Sequence, residues 1–142
     1  MTIAPPKRLL LIDDDPAGAE LTLAALKMLD AELEVDVVAD GEEALDYVFR
    51  RGAFESREVV EPDALLLDLK MPKVDGHEVL RQIRQCPTAR HLKVVVLTSS
   101  DQASDRARSR ELGTDAYLVK PASIMELIEE LRRCEHLNLS SR

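Results

Sequence analysis

The chain has 142 residues, a formal net charge of −8 at pH 7 and an aromatic content of 3%. A length near the roughly 150 residues of a typical domain predicts one domain, and the acidic balance disfavours direct binding of nucleic acid, which usually requires a basic face. No run approaches the ~20 consecutive apolar residues of a membrane span. Cys86 and Cys134 lack the spacing of metal ligands, so we expect free thiols and a cytoplasmic location.

Short apolar runs alternate with helical patterns along the chain. The predicted strands are residues 9–12, 34–38, 64–67, 94–97 and 116–119. The predicted helices are residues 16–29, 41–51, 75–85 and 102–112, with a closing helix that places Ile124, Leu127, Ile128 and Leu131 at helical spacing. Strands that consist of continuous runs of Val, Ile and Leu favour a parallel sheet covered on both faces.

This alternation predicts a single doubly wound α/β domain, because five strand-helix units follow one another without repeats or linkers. We expect the domain to occupy residues 1–142, with its core at about 7–134 and a loose carboxyl-terminal tail at 135–142. Residues 52–62 form the longest irregular connection and are predicted to be a surface loop. We expect no second domain.

Four of the predicted strands end on polar residues that suit a phosphoryl group or a hard metal ion. In chain order these residues are Asp13-Asp14-Asp15, Asp68, Thr98-Ser99-Ser100 and Lys120-Pro121. In an open parallel sheet, ligands bind outside the carboxyl ends of the strands. We therefore expect one sheet to bring the four groups to the same edge.

Three consecutive carboxylates follow the first strand. Asp15 precedes Pro16 and fits the N-cap of the next helix, but this explanation leaves Asp13 and Asp14. Like charges held at one strand end repel each other. Mg²⁺ relieves such repulsion, because it prefers oxygen ligands and commonly takes one or two carboxylates with a phosphate oxygen. A purely structural role and a metal-binding role both stay open for these two residues.

The other three strand ends carry weak signals singly and a specific one together. Taken alone, Asp68 fits a turn residue, Thr98 an ordinary β-branched strand end and Lys120 an exposed charge. With the acidic triplet, and with Met71-Pro72 and Asp75-Gly76 after Asp68, they resemble the receiver domain of two-component response regulators, of the single-domain, chemotaxis-regulator type. The resemblance implies a flavodoxin-like sheet in the order 2-1-3-4-5, in which strands 1, 3, 4 and 5 are adjacent.

The resemblance assigns roles to the residues at the strand ends. Asp68 would accept a phosphoryl group. Asp13 and Asp14 would bind Mg²⁺ with Asp68. The backbone carbonyl of Lys70 would complete the protein ligands, and Lys120 would pair with the phosphoryl oxygens. In phosphoryl transfer, the metal ion and a lysine offset developing charge, so that positioning supplies most of the catalysis.

The resemblance also implies a switch beside the phosphoacceptor. Thr98 would donate its hydroxyl to the phosphoryl oxygens, and the rotamer of Tyr117 would follow Thr98. Lys70 and Ser100 flank the site and are expected to influence the lifetime of the acyl phosphate. The Lys120–Pro121 bond resembles the cis peptide of the family, a rare state that usually serves a tight turn.

The implied function is that of a stand-alone, phosphorylation-dependent switch and not of a turnover enzyme. A histidine kinase would donate the phosphoryl group to Asp68. The face formed by the fourth and fifth strands and helices would then change and bind a downstream protein or form a homodimer, or the phosphate would pass to a histidine phosphotransfer partner. The long second helix and the 52–62 insertion resemble regulators that partner bacterial phytochrome kinases. No contact with nucleic acid or membrane is expected.

Two other functions stay open. Asp13 and Asp15 also resemble the nucleophile pair of haloacid-dehalogenase-type phosphatases, although the further acidic pair of that family is missing and Asp68 goes unexplained. The third hypothesis is a receiver-like binding module that is never phosphorylated. The histidines show no arrangement for catalysis or metal binding, and we expect all of them at the surface: His77, His91 and His136.

Overall fold

The computed structural model describes residues 7–57 and 60–139, along which five strands and five α-helices alternate. The strands are β1 (Arg8–Ile12), β2 (Glu34–Val38), β3 (Ala64–Leu67), β4 (Lys93–Thr98) and β5 (Ala116–Val119). The helices are α1 (Pro16–Leu29), α2 (Gly41–Phe49), α3 (Gly76–Gln85), α4 (Ala103–Glu111) and α5 (Ile124–Arg133). Every predicted strand and helix is present, with ends shifted by one or two residues at most. Among the described residues, no helix is both long and apolar enough to cross a membrane.

All the strands are parallel and form one sheet in the order β2-β1-β3-β4-β5. This order confirms the predicted doubly wound, flavodoxin-like fold. Because β1, β3, β4 and β5 are neighbours, their carboxyl ends form one continuous edge. The polar residues that follow these strands therefore meet there.

Alternate side chains of the central strands enter two hydrophobic clusters, one on each face of the sheet. Leu11 and Leu66 belong to the cluster that contains residues of α1 and α5, and Leu10 and Leu65 to the cluster with residues of α2 and α3. All four leucines are at most 2% exposed. Burying each such side chain contributes about 1.5–3 kcal/mol. The clusters thus fix the central strands and the residues that follow them.

Side-chain caps begin every described α-helix except α4. The capping residues are Asp15, Asp40, Asp75 and Ser123, each of which accepts a backbone N–H of the first turn. Gln102 makes no such bond at the start of α4, and Ser109 is the one buried residue of that helix. A helix with so few buried contacts rearranges at low cost in free energy. α4 is therefore the helix best suited to move.

The chain folds back on itself after α2. The helix ends two residues earlier than predicted, because Arg50 adopts a left-handed backbone conformation with φ of 51°. A 3-10 turn follows at Gly52–Phe54, and Phe54 packs edge-on against Tyr47 with ring centroids 5.3 Å apart. Arg57 stacks over the Tyr47 ring at 4.0 Å and donates to its carbonyl oxygen at 2.9 Å. The predicted surface loop thus packs on α2 as far as Arg57, and residues 58–59 lie outside the described residues.

The segment after α5 is packed, so the prediction of a loose tail is wrong for residues 135–139. Leu137 and Leu139 are each 1% exposed and join the cluster of α1 and α5. Two apolar side chains in so short a segment give no periodic signal, and sequence pattern therefore missed them. The remainder of the predicted tail, residues 140–142, lies outside the described residues.

Candidate functional site at the strand ends

The ends of β1 and β3 place two carboxylates side by side. The backbone N–H of Asp13 donates to Val38 at 3.1 Å. That of Asp68 donates to Ile12 at 3.0 Å, so both residues extend the hydrogen bonding of the sheet. Asp13 is 3% exposed and Asp68 8%. Both carboxylates are therefore held in place and largely out of water.

Asp14 adds a third carboxylate to this pair. One oxygen of each of Asp13, Asp14 and Asp68 lies within 4.8 Å of the others, although Asp14 is exposed to solvent. Three carboxylates at this separation repel one another, and a hard divalent cation with oxygen ligands relieves the repulsion. The donor set therefore fits a divalent metal ion. Asp15 stands apart, because its side chain accepts from the Ala17 N–H at 3.2 Å and caps α1.

Lys120 supplies the positive charge beside the carboxylates. Its ammonium lies 2.8 Å from an oxygen of Asp13 and 3.4 Å from an oxygen of Asp68, and its side chain is 22% exposed. Burial acts to lower the pKa of Lys120, but the hydrogen bond to Asp13 and the charges of both carboxylates outweigh burial and raise it. Lys120 is thus charged at neutral pH and able to offset negative charge at Asp68.

The backbone at Lys120 differs from the expectation in one respect. The Lys120–Pro121 bond is trans, as are all other peptide bonds within residues 7–57 and 60–139. The expectation of a cis bond is therefore wrong. Trans is the more stable form of a bond before proline by about 0.5–1 kcal/mol. The Lys120 N–H donates to the Thr98 carbonyl at 2.7 Å, and from this backbone position its side chain reaches both carboxylates.

Thr98 and Tyr117 lie on the next two strands and share a contact with Ser100. Thr98 ends β4 and is fully buried, and its hydroxyl oxygen accepts from the Ser100 N–H at 3.4 Å. The Tyr117 hydroxyl donates to the Ser100 carbonyl at 2.8 Å. The guanidinium of Arg106, on α4, stacks over the Tyr117 ring at 4.6 Å. Tyr117 is therefore tied both to the β4–α4 loop and to α4.

Lys70 and Ser100 meet at Asp105, a residue of α4. The Ser100 hydroxyl donates to a carboxylate oxygen of Asp105 at 2.6 Å, and the Lys70 ammonium lies 3.6 Å from the same oxygen. The hydrogen bond from Ser100 is the largest cause of a lowered pKa at Asp105; burial opposes it and the charge of Lys70 adds to it. Sequence reasoning missed Asp105, because an acidic residue among the arginines of this helix indicates a solvated face.

His77 lies on the other side of Asp105 and is 8% exposed, so its predicted surface position is wrong. Its Nε2 atom is 3.4 Å from the Asp105 carbonyl oxygen. His77 follows Gly76 in the first turn of α3, and Asp105 belongs to α4, so the imidazole lies where these two helices meet. A single histidine within a helical pattern gives no sign of which face it takes.

Two glycines hold the β3–α3 loop that carries Lys70. A Cβ atom on Gly76 would lie 2.4 Å from the Asp68 carbonyl oxygen, and one on Gly41 would lie 1.9 Å from that of Val74. Real Cβ atoms do not approach backbone this closely, so glycine is required at both positions. The start of α2 and the start of α3 therefore fix the loop beside the phosphoacceptor candidate.

Fold and site together define the class of protein. The response regulator receiver domain family matches residues 9–132, and the chain belongs to this family. Receiver domains accept phosphoryl groups and interact with histidine kinases in two-component systems, and the chain is a signalling protein of this kind. The haloacid-dehalogenase alternative is not favoured, because Asp15 caps a helix and that alternative gives no role to Asp68, which follows β3 and pairs with Lys120.

Individual relatives are similar over nearly the whole chain. Response regulator Rcp1 of Synechocystis is 35% identical over 131 residues, which cover 92% of this chain and 88% of Rcp1. The Mn²⁺-bound form of Rcp1 has a TM-score of 0.84 at 34% identity and covers 96% of this chain and 97% of its own. Bacteriophytochrome response regulator RtBRR is 45% identical with a TM-score of 0.79, covering 93% and 78%. The phosphorylated cyanobacterial phytochrome response regulator RcpA is 35% identical with a TM-score of 0.85, covering 95% of each chain.

Proposed function

We propose that Asp68 accepts a phosphoryl group from a histidine kinase in a Mg²⁺-dependent reaction. The observation that supports this assignment is the closeness of the Asp68 carboxylate to two further carboxylates, Asp13 and Asp14, and to the ammonium of Lys120. In this position a carboxylate can act as nucleophile while neighbouring charges offset those of the incoming group. Asp13, Asp14, Asp68 and the Lys70 carbonyl are the proposed metal ligands.

The transfer forms one bond and breaks one. An oxygen of Asp68 attacks phosphorus, the P–N bond to the kinase histidine breaks, and its electron pair stays on the imidazole nitrogen. Bound Mg²⁺ supplies a Lewis acid for the phosphoryl oxygens. Lys120 exchanges its contact with Asp68 for one with a phosphoryl oxygen, and the Thr98 hydroxyl donates to another. The dephosphorylated kinase histidine departs and the phosphoryl group stays on Asp68, so the protein acts as phosphoacceptor and not as a turnover enzyme.

We further propose that Thr98 and Tyr117 transmit phosphorylation to the face formed by β4, α4, β5 and α5. When the Thr98 hydroxyl turns to the phosphoryl group, it releases the Ser100 N–H, and the hydroxyl bond from Tyr117 to Ser100 becomes free to rearrange. Two packings that differ by a few kcal/mol suffice for such a switch. The weak anchoring of α4 supports this direction of movement.

The proposed partners follow from the relatives. RtBRR and RcpA are described as phytochrome response regulators, so we propose a bacterial phytochrome as the histidine kinase. The phosphorylated chain then binds a downstream protein or a second copy of itself, or it passes the phosphoryl group to a histidine phosphotransfer partner. We place the exchange in the cytoplasm, and the free thiols of Cys86 and Cys134 support this placement.

Labelling with acetyl phosphate tests the proposed phosphoacceptor. The parent protein should gain a base-labile phosphoryl group only with Mg²⁺, and Asp68→Asn, which keeps the shape but removes the nucleophile, should gain none. Thr98→Ala should still take up label but lose the phosphate-dependent rise in dimer or partner affinity. Label uptake by Asp68→Asn at the parent rate would refute the assignment. A parent protein that takes up no label with Mg²⁺ would refute it too and would favour a binding module.

A further inference from the structure

Asp105 connects the two side chains that flank the phosphoacceptor to α4. Lys70 and Ser100 each stand two residues beyond a proposed site residue, Asp68 and Thr98 respectively. Both side chains turn to the same oxygen of Asp105, at 3.6 and 2.6 Å. The Asp105 side chain is 15% exposed. A largely enclosed carboxylate thus holds the side-chain donors of the two residues that flank the site.

The Lys70 side chain has room to leave Asp105. It is 64% exposed, and within the described part of the chain its ammonium forms an ion pair with Asp105 alone. Lys70, His77 and Asp105 line a cleft of about 290 Å³ that opens to solvent beside the site. The Lys70 backbone N–H already donates to Asp68 at 3.3 Å. The backbone of Lys70 thus contacts Asp68 while its exposed side chain pairs with Asp105, so both carboxylates are neighbours of this one residue.

We propose that Asp105 is a positioning residue that holds the Lys70 ammonium and the Ser100 hydroxyl away from Asp68 until a phosphoryl group competes for them. The inference rests on the proposed role of Asp68. A phosphoryl group offers three acceptor oxygens, and hydrogen bonds between charged partners are roughly twice as strong as neutral ones. Breaking the Asp105 contacts lowers the net affinity for the phosphoryl group by the free energy of those contacts.

The same competition also affects the attachment of α4 to the site. Asp105 lies in the first turn of α4, which lacks a side-chain cap, and its two contacts join that turn to the loops after β3 and β4. Arg106, the next residue, stacks on Tyr117. Release of Lys70 and Ser100 from Asp105 would free this turn of α4 while Tyr117 rearranges. Asp105 thus affects both the affinity of the site and the movement of the helix.

Affinity for beryllofluoride, a phosphoryl mimic, tests the inference. Asp105→Asn keeps an acceptor for the Ser100 hydroxyl but removes the ion pair with Lys70, and Asp105→Ala removes both contacts. Affinity measured by ¹⁹F NMR with saturating Mg²⁺ should rise from parent to Asn to Ala, by about threefold or more in total. Glu111→Gln, which removes the same charge from an exposed position of α4, should stay within about twofold of the parent.

A second background separates positioning from a general effect of charge. In a protein with Lys70→Met and Ser100→Ala, Asp105 has neither donor to hold, so Asp105→Asn should no longer change the affinity. A gain that persists there would come from charge or from α4 itself and would overturn the inference. Equal affinities of parent and Asp105→Ala, with matching circular dichroism spectra, would overturn it too. A parent that binds no beryllofluoride would instead refute the proposed role of Asp68, and this inference with it.

Discussion

Replacing Lys120 with methionine should destabilise the protein and make its stability more dependent on Mg²⁺. The substitution keeps an apolar stem of similar length but removes the ammonium that lies 2.8 Å from Asp13 and 3.4 Å from Asp68. Asp13, at 3% exposure, then holds a charge without its partner. A hydrogen bond to a charged group contributes about 1.5–3 kcal/mol. We expect the free energy of unfolding to fall by about 2 kcal/mol, which lowers Tm by roughly 6–8 °C for a domain of this size.

Calorimetric melts with and without Mg²⁺ provide the measurement. Mg²⁺ should restore part of the loss, because a cation bound by Asp13 replaces the missing charge. Lys93→Met, at an exposed position at the start of β4, is the matched control and should change stability by less than about 0.5 kcal/mol. Equal Tm values for the parent and Lys120→Met without Mg²⁺ would refute the reasoning.

The pH dependence of this difference has a definite sign. The pKa of Lys120 is raised in the folded protein, so the folded state binds the proton more tightly than the unfolded state does. The contribution of Lys120 to stability should therefore be fully present below the ordinary lysine pKa of about 10.4. It should be lost as pH rises through the folded pKa, where the melts of parent and variant should converge.

Three further predictions concern the metal, the β3–α3 loop and the contact of α2 with the edge strand β2. Excess Mg²⁺ should stabilise the parent, by about 2.7 kcal/mol at a hundredfold excess over Kd, and joint Asp13→Asn and Asp14→Asn should abolish this gain in a thermal melt; an undiminished gain would exclude these ligands. Gly41→Ala should cost about 1–3 kcal/mol and weaken Mg²⁺ binding in calorimetry, because its Cβ would lie 1.9 Å from the Val74 carbonyl oxygen; unchanged values would show that the loop yields freely. Burial, and then a hydrogen bond to a carboxylate, raise the pKa of Tyr47 to about 12, so its contribution to stability should be lost as pH rises from about 10 through 12. Tyr47→Phe should remove that ionisation from an ultraviolet titration, and a Tyr47 ionisation near 10 would contradict the assignment.

The strand ends could be predicted from the sequence because the apolar runs before them are unambiguous. Four apolar residues in a row leave a buried parallel strand as the simplest interpretation, and the residue after each run then lies at the carboxyl edge. This reasoning placed Asp68 after β3 and Asp13 after β1, and the structure brings both into contact with Lys120. The order of the strands came from the resemblance to receiver domains and not from the apolar pattern.

The contacts that the sequence did not predict depend on side-chain direction over short segments. Asp105 lies among alternating charges, and nothing in that pattern distinguishes a carboxylate that faces Ser100 from one that faces solvent. His77 is buried where α3 meets Asp105 of α4, and Leu137 is buried in the cluster of α1 and α5 residues. Tertiary packing decides such positions.

The position of the acyl phosphate is the measurement that tests Asp68 most directly. Borohydride reduction converts a phosphorylated aspartate to homoserine, and peptide mass spectrometry then locates the altered residue. After incubation with acetyl phosphate and Mg²⁺, we expect the change at Asp68 alone, and no change without the cation. Modification of Asp13 or Asp14 with Asp68 intact, or phosphate uptake that does not need a divalent cation, would contradict the proposed mechanism.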